Sequence, residues 1–253
     1  MTIQNKRNPK VVIIGAGMTG ILMAIKLREA GIDDIVILEK KDKIGGTWRE
    51  NTYPGVACDV PAHMYTYSFE PNPNWSKRFA GGDEIQTYFE HVAKKYKVLP
   101  DIHFNEAVES CHFNDAKWTL KSSKGETYIA DFVVSATGIL HHPSKPNIEG
   151  LDTFEGDCFH TAEWDHTVDL NDKNIGIIGT GSTATQAIPE LVKQAKKVSV
   201  FQRTPQWIVN LPNKQYSEKD KARWLRNPQL LNRFYRWYTI AVEQIFSKAV
   251  IGK

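Results

Sequence analysis

Val11-Val12-Ile13-Ile14-Gly15-Ala16-Gly17-Met18-Thr19-Gly20 decides how the chain folds. Four β-branched residues read as a short, fully buried strand, and the run ends in glycines at a G-x-G-x-x-G spacing. The apolar positions Ile21, Leu22, Ala24, Ile25 and Leu27 follow at helical spacing up to Gly31, and a second apolar run, Ile35 to Leu38, closes on Glu39. Strand, glycine turn, helix, strand and acid is the order a dinucleotide needs. The glycines let the backbone approach a pyrophosphate, the helix N-terminus offers free N–H groups, and the acid accepts from a ribose hydroxyl.

The pattern recurs. Ile175 to Ile178 leads into Gly179-Thr180-Gly181-Ser182-Thr183-Ala184, then a helical stretch to about Lys193 and a strand from Lys197 to Gln202. Glu39 stands 24 residues after Gly15, and Arg203 stands 24 residues after Gly179. A carboxylate suits a free 2′-hydroxyl, whereas a guanidinium suits a 2′-phosphate, so the first turn (Gly15, Ala16, Gly17, Met18, Thr19, Gly20 and Glu39) is expected to hold FAD. The second (Gly179 to Ala184 with Arg203 and Thr204) is expected to hold NADPH. A solvated surface arginine is the bland reading of Arg203, and the matched offset with Thr204 beside it argues against that. The expected fold is α/β, with two Rossmann-like dinucleotide-binding domains, a three-layer sandwich and a smaller β element.

Between the copies, Asp83 to Tyr96 reads as a helix with Ile85, Tyr88, Phe89 and Val92 on its apolar face. Val108 to Phe113, Trp118 to Leu120 and Tyr128 to Ser135 read as strands, with a turn at Lys124-Gly125 and Ala136-Thr137-Gly138 closing the block. His141, His142, Pro143, Ser144 and Pro146 mark a linker. The expected organisation is an FAD domain over 1–143, an NADP domain with its linker over 144–213, and a helical segment over 214–253. Past the loop from Thr204 to Asn213, Ser217 and Asp220 form a candidate capping box. Pro228 opens a last helix with Leu231, Phe234, Tyr235, Tyr238 and Val242. It reads as a packing face rather than a membrane-seeking one, because Arg233, Arg236, Glu243 and Lys248 interrupt its apolar side.

Of the 253 residues, 41% are hydrophobic and 24% charged, which excludes fibrous and wholly disordered readings. A net charge of +3, evenly scattered, gives no nucleic-acid groove. The three cysteines, Cys58, Cys111 and Cys158, form no C-x-x-C pair, so neither a disulfide framework nor a metal site is expected. The polar N-terminal tract has no secretory pattern and no run spans a bilayer, so a cytoplasmic protein is expected.

Phe154-Glu-Gly156-Asp-Cys-Phe-His160-Thr-Ala-Glu-Trp164-Asp165 fits F-x-G-x-x-x-H-x-x-x-W-[PD]. With Gly45-Gly46-Thr47-Trp48 and Tyr53-Pro-Gly-Val-Ala-Cys-Asp59-Val60, the stretch from Lys10 to Asn213 resembles the class B flavoprotein monooxygenases, and within them the Baeyer–Villiger type typified by 4-hydroxyacetophenone and phenylacetone monooxygenases. Trp164 favours the ketone-oxidising branch over N- and S-oxygenating relatives. The resemblance implies that NADPH reduces FAD, that the reduced flavin takes up dioxygen as a C4a-peroxide, and that this attacks a ketone to give an ester or lactone. It places Gly46, Thr47, Trp48, Asp59 and Tyr65 at the FAD site and Val108 at its adenine end, with Asp59 the candidate catalytic residue between flavin and nicotinamide. His160 is implied as a structural tie rather than an acid or base. Many relatives carry Arg before the Cys-Asp pair, where Ala57 stands here. Family members run well beyond Lys253, so a fragment or truncated member is expected, with a half-protein completed by a partner chain as an alternative. A plain NADPH oxidase, an N- or S-oxygenase and an inactive nucleotide-binding fragment are the alternatives.

Overall fold

The structure is a computed structural model that describes residues 8–140, 142–206, 208 and 211–251. Most of the N-terminal tract, His141 of the linker, and Trp207, Val209 and Asn210 of the loop lie outside the described residues, as do the side chains of Val242 and Lys248. The chain divides into two compact units, one running to Tyr53 and resuming over Ile85–Asp169, the other comprising Pro54–Glu84 and Leu170 onward. Residues 54–84, inside the first domain of the sequence reading, thus group with the later part of the chain.

The first unit is built on β1 (Val11–Ile14), α1 (Met18–Glu29), β2 (Ile35–Leu38), α2 (Thr47–Glu50), α3 (Gly82–Lys95) from Ile85 onward, β3 (Ile102–His103), β4 (Val108–Asn114), β5 (Lys117–Ser122), β6 (Thr127–Ala130) and β7 (Phe132–Ser135). Four strands form a parallel sheet in the order β3-β2-β1-β7, with Val11 in register with Ile35 on one side and Phe132 on the other. Flanked on both edges, β1 is buried at Val11, Val12 and Ile13. Each such side chain contributes roughly 1.5–3 kcal/mol on leaving water. In α3, Ile85, Tyr88, Phe89 and Val92 recur at i, i+3, i+4 and i+7 and are all buried. Acids in its first turn and lysines in its last complement the helix dipole.

The stretch from Tyr128 to Ser135 is not one strand. It splits at Asp131, β6 belonging to an antiparallel sheet of order β4-β5-β6 and β7 to the parallel one. Asp131 is the joint: its carboxylate accepts from the Lys10 amide at 2.9 Å and pairs with Lys117, while its own amide donates to the Lys10 carbonyl. Leu120 and Ala130 then close on Val12 and Leu38 in one buried cluster. Asn114 pairs with Lys117, so β4 and β5 are joined by Asp115 and Ala116 alone, both at positive φ. That is the geometry of a type I′ hairpin turn. Gly125, at φ +80°, makes the turn expected before β6.

The second unit holds β8 (Asn174–Ile178), α4 (Ser182–Leu191), β9 (Lys197–Phe201), α5 (Glu218–Arg226) and α6 (Pro228–Ile251). β8 and β9 pair in parallel, Ile175 opposite Val198. Among the described residues β8 has no partner on its other edge, and its burial alternates where that of β1 is continuous. The Ser217 capping box at α5 is complete: its Oγ accepts from the Asp220 amide at 3.2 Å and its amide donates to the Asp220 carboxylate at 3.0 Å. No described helix is long and apolar enough to cross a membrane.

Candidate functional site

The first glycine turn is shaped by backbone crowding. Gly15, at φ +101°, donates its amide to the Leu38 carbonyl at 2.8 Å, and a Cβ on it would stand 2.7 Å from the Ala136 carbonyl oxygen. A Cβ at Gly20 would lie 2.0 Å from the Gly15 carbonyl oxygen, so only glycine lets α1 press against the end of β1. Gly17 differs. It is the N-cap of α1 with φ −78° and no side-chain cap, so the first-turn amides of Met18, Thr19 and Gly20 have no capping side chain. Gly46, at φ +54°, approaches Gly17, and the Gly45 amide donates to the Ala16 carbonyl at 3.2 Å. The Gly46-Thr47-Trp48 stretch is thereby folded beside the turn, with Thr47 and Trp48 opening α2.

Glu39 is buried at the end of β2. One carboxylate oxygen accepts from the Ala16 amide at 2.7 Å and the other from the Lys41 amide at 2.9 Å. The acid and the glycine turn, 23 residues apart, are thus one hydrogen-bonded object. Its backbone is held by the His103 carbonyl and the Glu106 amide, just before Val108 starts β4. Val108 is half-buried against the Val12 and Leu38 cluster.

The second turn repeats the first. Gly179, at φ +107°, donates to the Phe201 carbonyl at 2.9 Å as Gly15 does to Leu38, and Gly181 caps α4 without a side-chain cap. A Cβ on Gly179 or Gly181 would meet nothing within 4 Å, so this cradle of Thr180, Ser182, Thr183 and the buried Ala184 opens onto free space. Arg203 and Thr204 are exposed just past β9.

Gln186 of α4 was not legible as a functional residue. Its side-chain amide brackets Ala57, accepting from its amide at 3.1 Å and donating to its carbonyl at 3.0 Å, and it also donates to the Asp59 carboxylate. A Cβ on Gly55 would lie 2.4 Å from the Gln186 carbonyl oxygen. The loop carrying exposed Asp59 is therefore docked on the helix of the second glycine turn. The available signal was a polar residue between the buried Ala184 and Ala187. Beside Asp59, burial pushes the Cys58 thiol up to about 11, so it is protonated at neutral pH and no nucleophile. Tyr65 is half-buried and ends the short 3₁₀ turn Ala62–Met64.

In the Phe154 to Asp165 motif, the exposed Phe154 ring folds over Gly156, where a Cβ would displace it, and Trp164 stands edge-on to Phe159 with ring centroids 5.1 Å apart. His160 accepts from the Ala162 amide at 3.1 Å through Nδ1, a local cap. Asp165 accepts from the Thr167 hydroxyl at 2.6 Å and its amide at 2.8 Å, bonds that hold its carboxyl below the usual range. The reach across the first unit is made by His166, whose Nε2 lies 2.8 Å from Thr52 Oγ1.

Residues 12–235 match the family model described as pyridine nucleotide-disulphide oxidoreductase. The chain belongs to this family. Its three cysteines are nevertheless free, so the disulphide in the family description has no counterpart here. An uncharacterized monooxygenase of Mycobacterium tuberculosis is 47% identical over 94% of this chain and 48% of its own length. A Baeyer-Villiger monooxygenase of Streptomyces coelicolor is 42% identical over 84% of this chain and 41% of its own. The crystal structure of cyclohexanone monooxygenase from Rhodococcus sp. Phi1 bound to NADP+ superposes with a TM-score of 0.80 at 34% identity, covering 87% of this chain and 43% of that one. This member of the oxidoreductase family thus resembles the Baeyer–Villiger monooxygenases, and it spans about half the length of the curated relatives it matches.

Proposed function

We propose that the chain carries the two dinucleotide sites of an FAD- and NADPH-dependent monooxygenase that inserts one atom of dioxygen into a ketone. One observation carries the reading: two glycine turns cap their helices with no side chain, the first bonded to a buried carboxylate and the second followed, at the matching offset in sequence, by an exposed arginine. The residues fit the groups. Helix-start amides not taken by a capping side chain suit a pyrophosphate, and Gly17 leaves it a close approach. Glu39, though bonded to two amides, keeps lone pairs for ribose hydroxyls, and Arg203 supplies charge for a 2′-phosphate.

When bound, the flavin and nicotinamide supply the redox chemistry that side chains lack. The protein holds and orients them. Gln186 fixes the Asp59 carboxylate on α4, where it would set the position of the nicotinamide and balance charge as that ring changes oxidation state. Thr47, Trp48 and Tyr65 would wall the flavin, with Val108 offering backbone groups at its adenine end. Trp164 and the motif around it support a ketone rather than an amine or sulfide as acceptor. The pairing with NADP+ in the cyclohexanone monooxygenase complex supports NADPH as reductant.

The test is anaerobic mixing of the FAD-loaded chain with NADPH while the flavin's visible absorbance is followed, then aerobic product analysis with a ketone. Bleaching followed by an ester or lactone is expected. Flavin retained but never reduced would refute the reductase step and favour a second reading, a nucleotide-binding part of a larger enzyme, which the half-length match also favours.

A further inference from the structure

The backbone around Glu39 is held by a stretch that has no ladder of its own. Residues 104–107 lie between the end of β3 and the start of β4, and Asn105 among them sits at φ +55°. The Glu106 amide donates to the Glu39 carbonyl at 2.8 Å, and the Asn105 amide donates to the carbonyl of Lys41 at 2.9 Å. Lys41 in turn bonds the Glu39 carboxylate through its own amide. The placing of the acid therefore depends on what keeps residues 104–107 still.

Three ties do so, all from the β5–β6 hairpin. Lys124 Nζ donates to the Phe104 carbonyl at 2.9 Å, and Ser123 clasps Ala107, accepting from its amide through Oγ at 3.1 Å and donating to its carbonyl at 2.8 Å. The third tie is buried. Glu106 is only 3% exposed, and its carboxylate accepts from the Tyr128 hydroxyl at 2.7 Å, with the Lys124 ammonium at 3.7 Å and His103 Nδ1 at 3.6 Å. The hydroxyl has a single proton and gives it to Glu106, so His103 Nδ1, 3.0 Å away, is its donor. A carboxylate out of water that loses such a partner is strongly destabilised, which makes this tie stiff.

We propose that Glu106, held by Tyr128, is a positioning residue for the adenosine ribose of FAD: it locks residues 104–107 so that Glu39 meets the ribose hydroxyls. Groups that bind a ligand by hydrogen bonds must be held to within about 0.5 Å, and the two sheets set that distance here through one buried carboxylate. The proposal rests on the reading of Glu39 as the ribose acceptor.

FAD and an FAD built on 2′-deoxyadenosine are titrated by flavin fluorescence into the native chain, Tyr128→Phe, Glu106→Ala and Glu106→Gln. The native chain prefers FAD by about tenfold or more, the worth of one hydrogen bond to a charged group. Tyr128→Phe and Glu106→Ala cut the preference to less than about threefold, whereas Glu106→Gln, which still accepts from Tyr128, keeps more of it than Glu106→Ala. A merely structural Glu106 would weaken both flavins alike and leave the ratio untouched. Should Glu106→Ala not fold, Tyr128→Phe carries the point, and in its flavin-free form the Glu39 amide exchanges faster than in the native chain. A preference for FAD that survives Tyr128→Phe, or a Glu39 amide as protected there as in the native chain, overturns the proposal and leaves Glu39 as ribose acceptor. A native chain indifferent to the 2′-hydroxyl overturns that reading of Glu39 and the proposal with it.

Discussion

Gly17 and Gly20 stand three residues apart in one turn, yet adding a methyl group to each should do opposite things. At Gly20 the new Cβ would stand 2.0 Å from the Gly15 carbonyl oxygen and 3.1 Å from its carbon, both backbone atoms that cannot swing aside. Helix α1 must lift off β1, and overpacking of that kind costs about 3 kcal/mol. At Gly17 the nearest atom is the Gly46 Cα at 3.6 Å, an ordinary contact, and φ is −78°, which alanine adopts freely. Losing a favoured N-cap residue and narrowing the unfolded ensemble then offset one another to within about 1 kcal/mol. The same methyl would occupy the approach proposed for the pyrophosphate. Losing even one charge-assisted amide bond, about 1.5–3 kcal/mol, weakens FAD at least about tenfold. Urea unfolding and flavin retained through gel filtration separate the two effects. Gly20→Ala should lower the unfolding midpoint; Gly17→Ala should keep it and lose the flavin. A Gly17→Ala protein with native flavin content would refute the cradle, and a Gly20→Ala protein of native stability would refute the strand–helix contact.

Arg203→Ala should weaken NADPH far more than NADH; equal losses in paired titrations would remove the 2′-phosphate role. Gln186→Leu should free the Asp59 loop, seen as faster amide exchange over residues 55–59. Ala116 holds φ +60° in the type I′ turn, so Ala116→Gly should raise stability by about 0.5–1 kcal/mol in denaturant unfolding. His63, pushed down by burial, titrates near 4 when folded and near 6.5 when unfolded, so below pH 6.5 the unfolded chain binds a proton the native chain does not. Stability should fall by about 3 kcal/mol between pH 6.5 and 4 and then level off. In His63→Phe that part of the acid slope should be missing.

The glycine turns were legible because each combines a short β-branched run, fixed glycine positions and a helical period, all local signals. Capping at Ser217 and the buried face of α3 were legible for the same reason. The break at Asp131 was not. Asp131, a poor strand former between Tyr128-Ile129 and Phe132-Val133-Val134, is the one local sign of a break, but that the chain changes sheets there is decided by bonds to Lys10, 121 residues away. Gln186 escaped notice because its partners, Ala57 and Asp59, are about 130 residues earlier.

The sequence by itself determined two strand–turn–helix units, the opposite charges at their ends and the kinship to flavin monooxygenases. Only the tertiary structure decided that Val11-Val12-Ile13 is buried while the equally apolar Ile175 to Ile178 is half-exposed. Backbone geometry at a turn depends on neighbours in sequence, whereas burial depends on how many strands stand alongside. β1 has one on each edge and β8 one in all among the described residues. Tertiary structure likewise buried the His63 imidazole against Trp224 and Tyr216, because burial is a property of the packed chain and not of the residue.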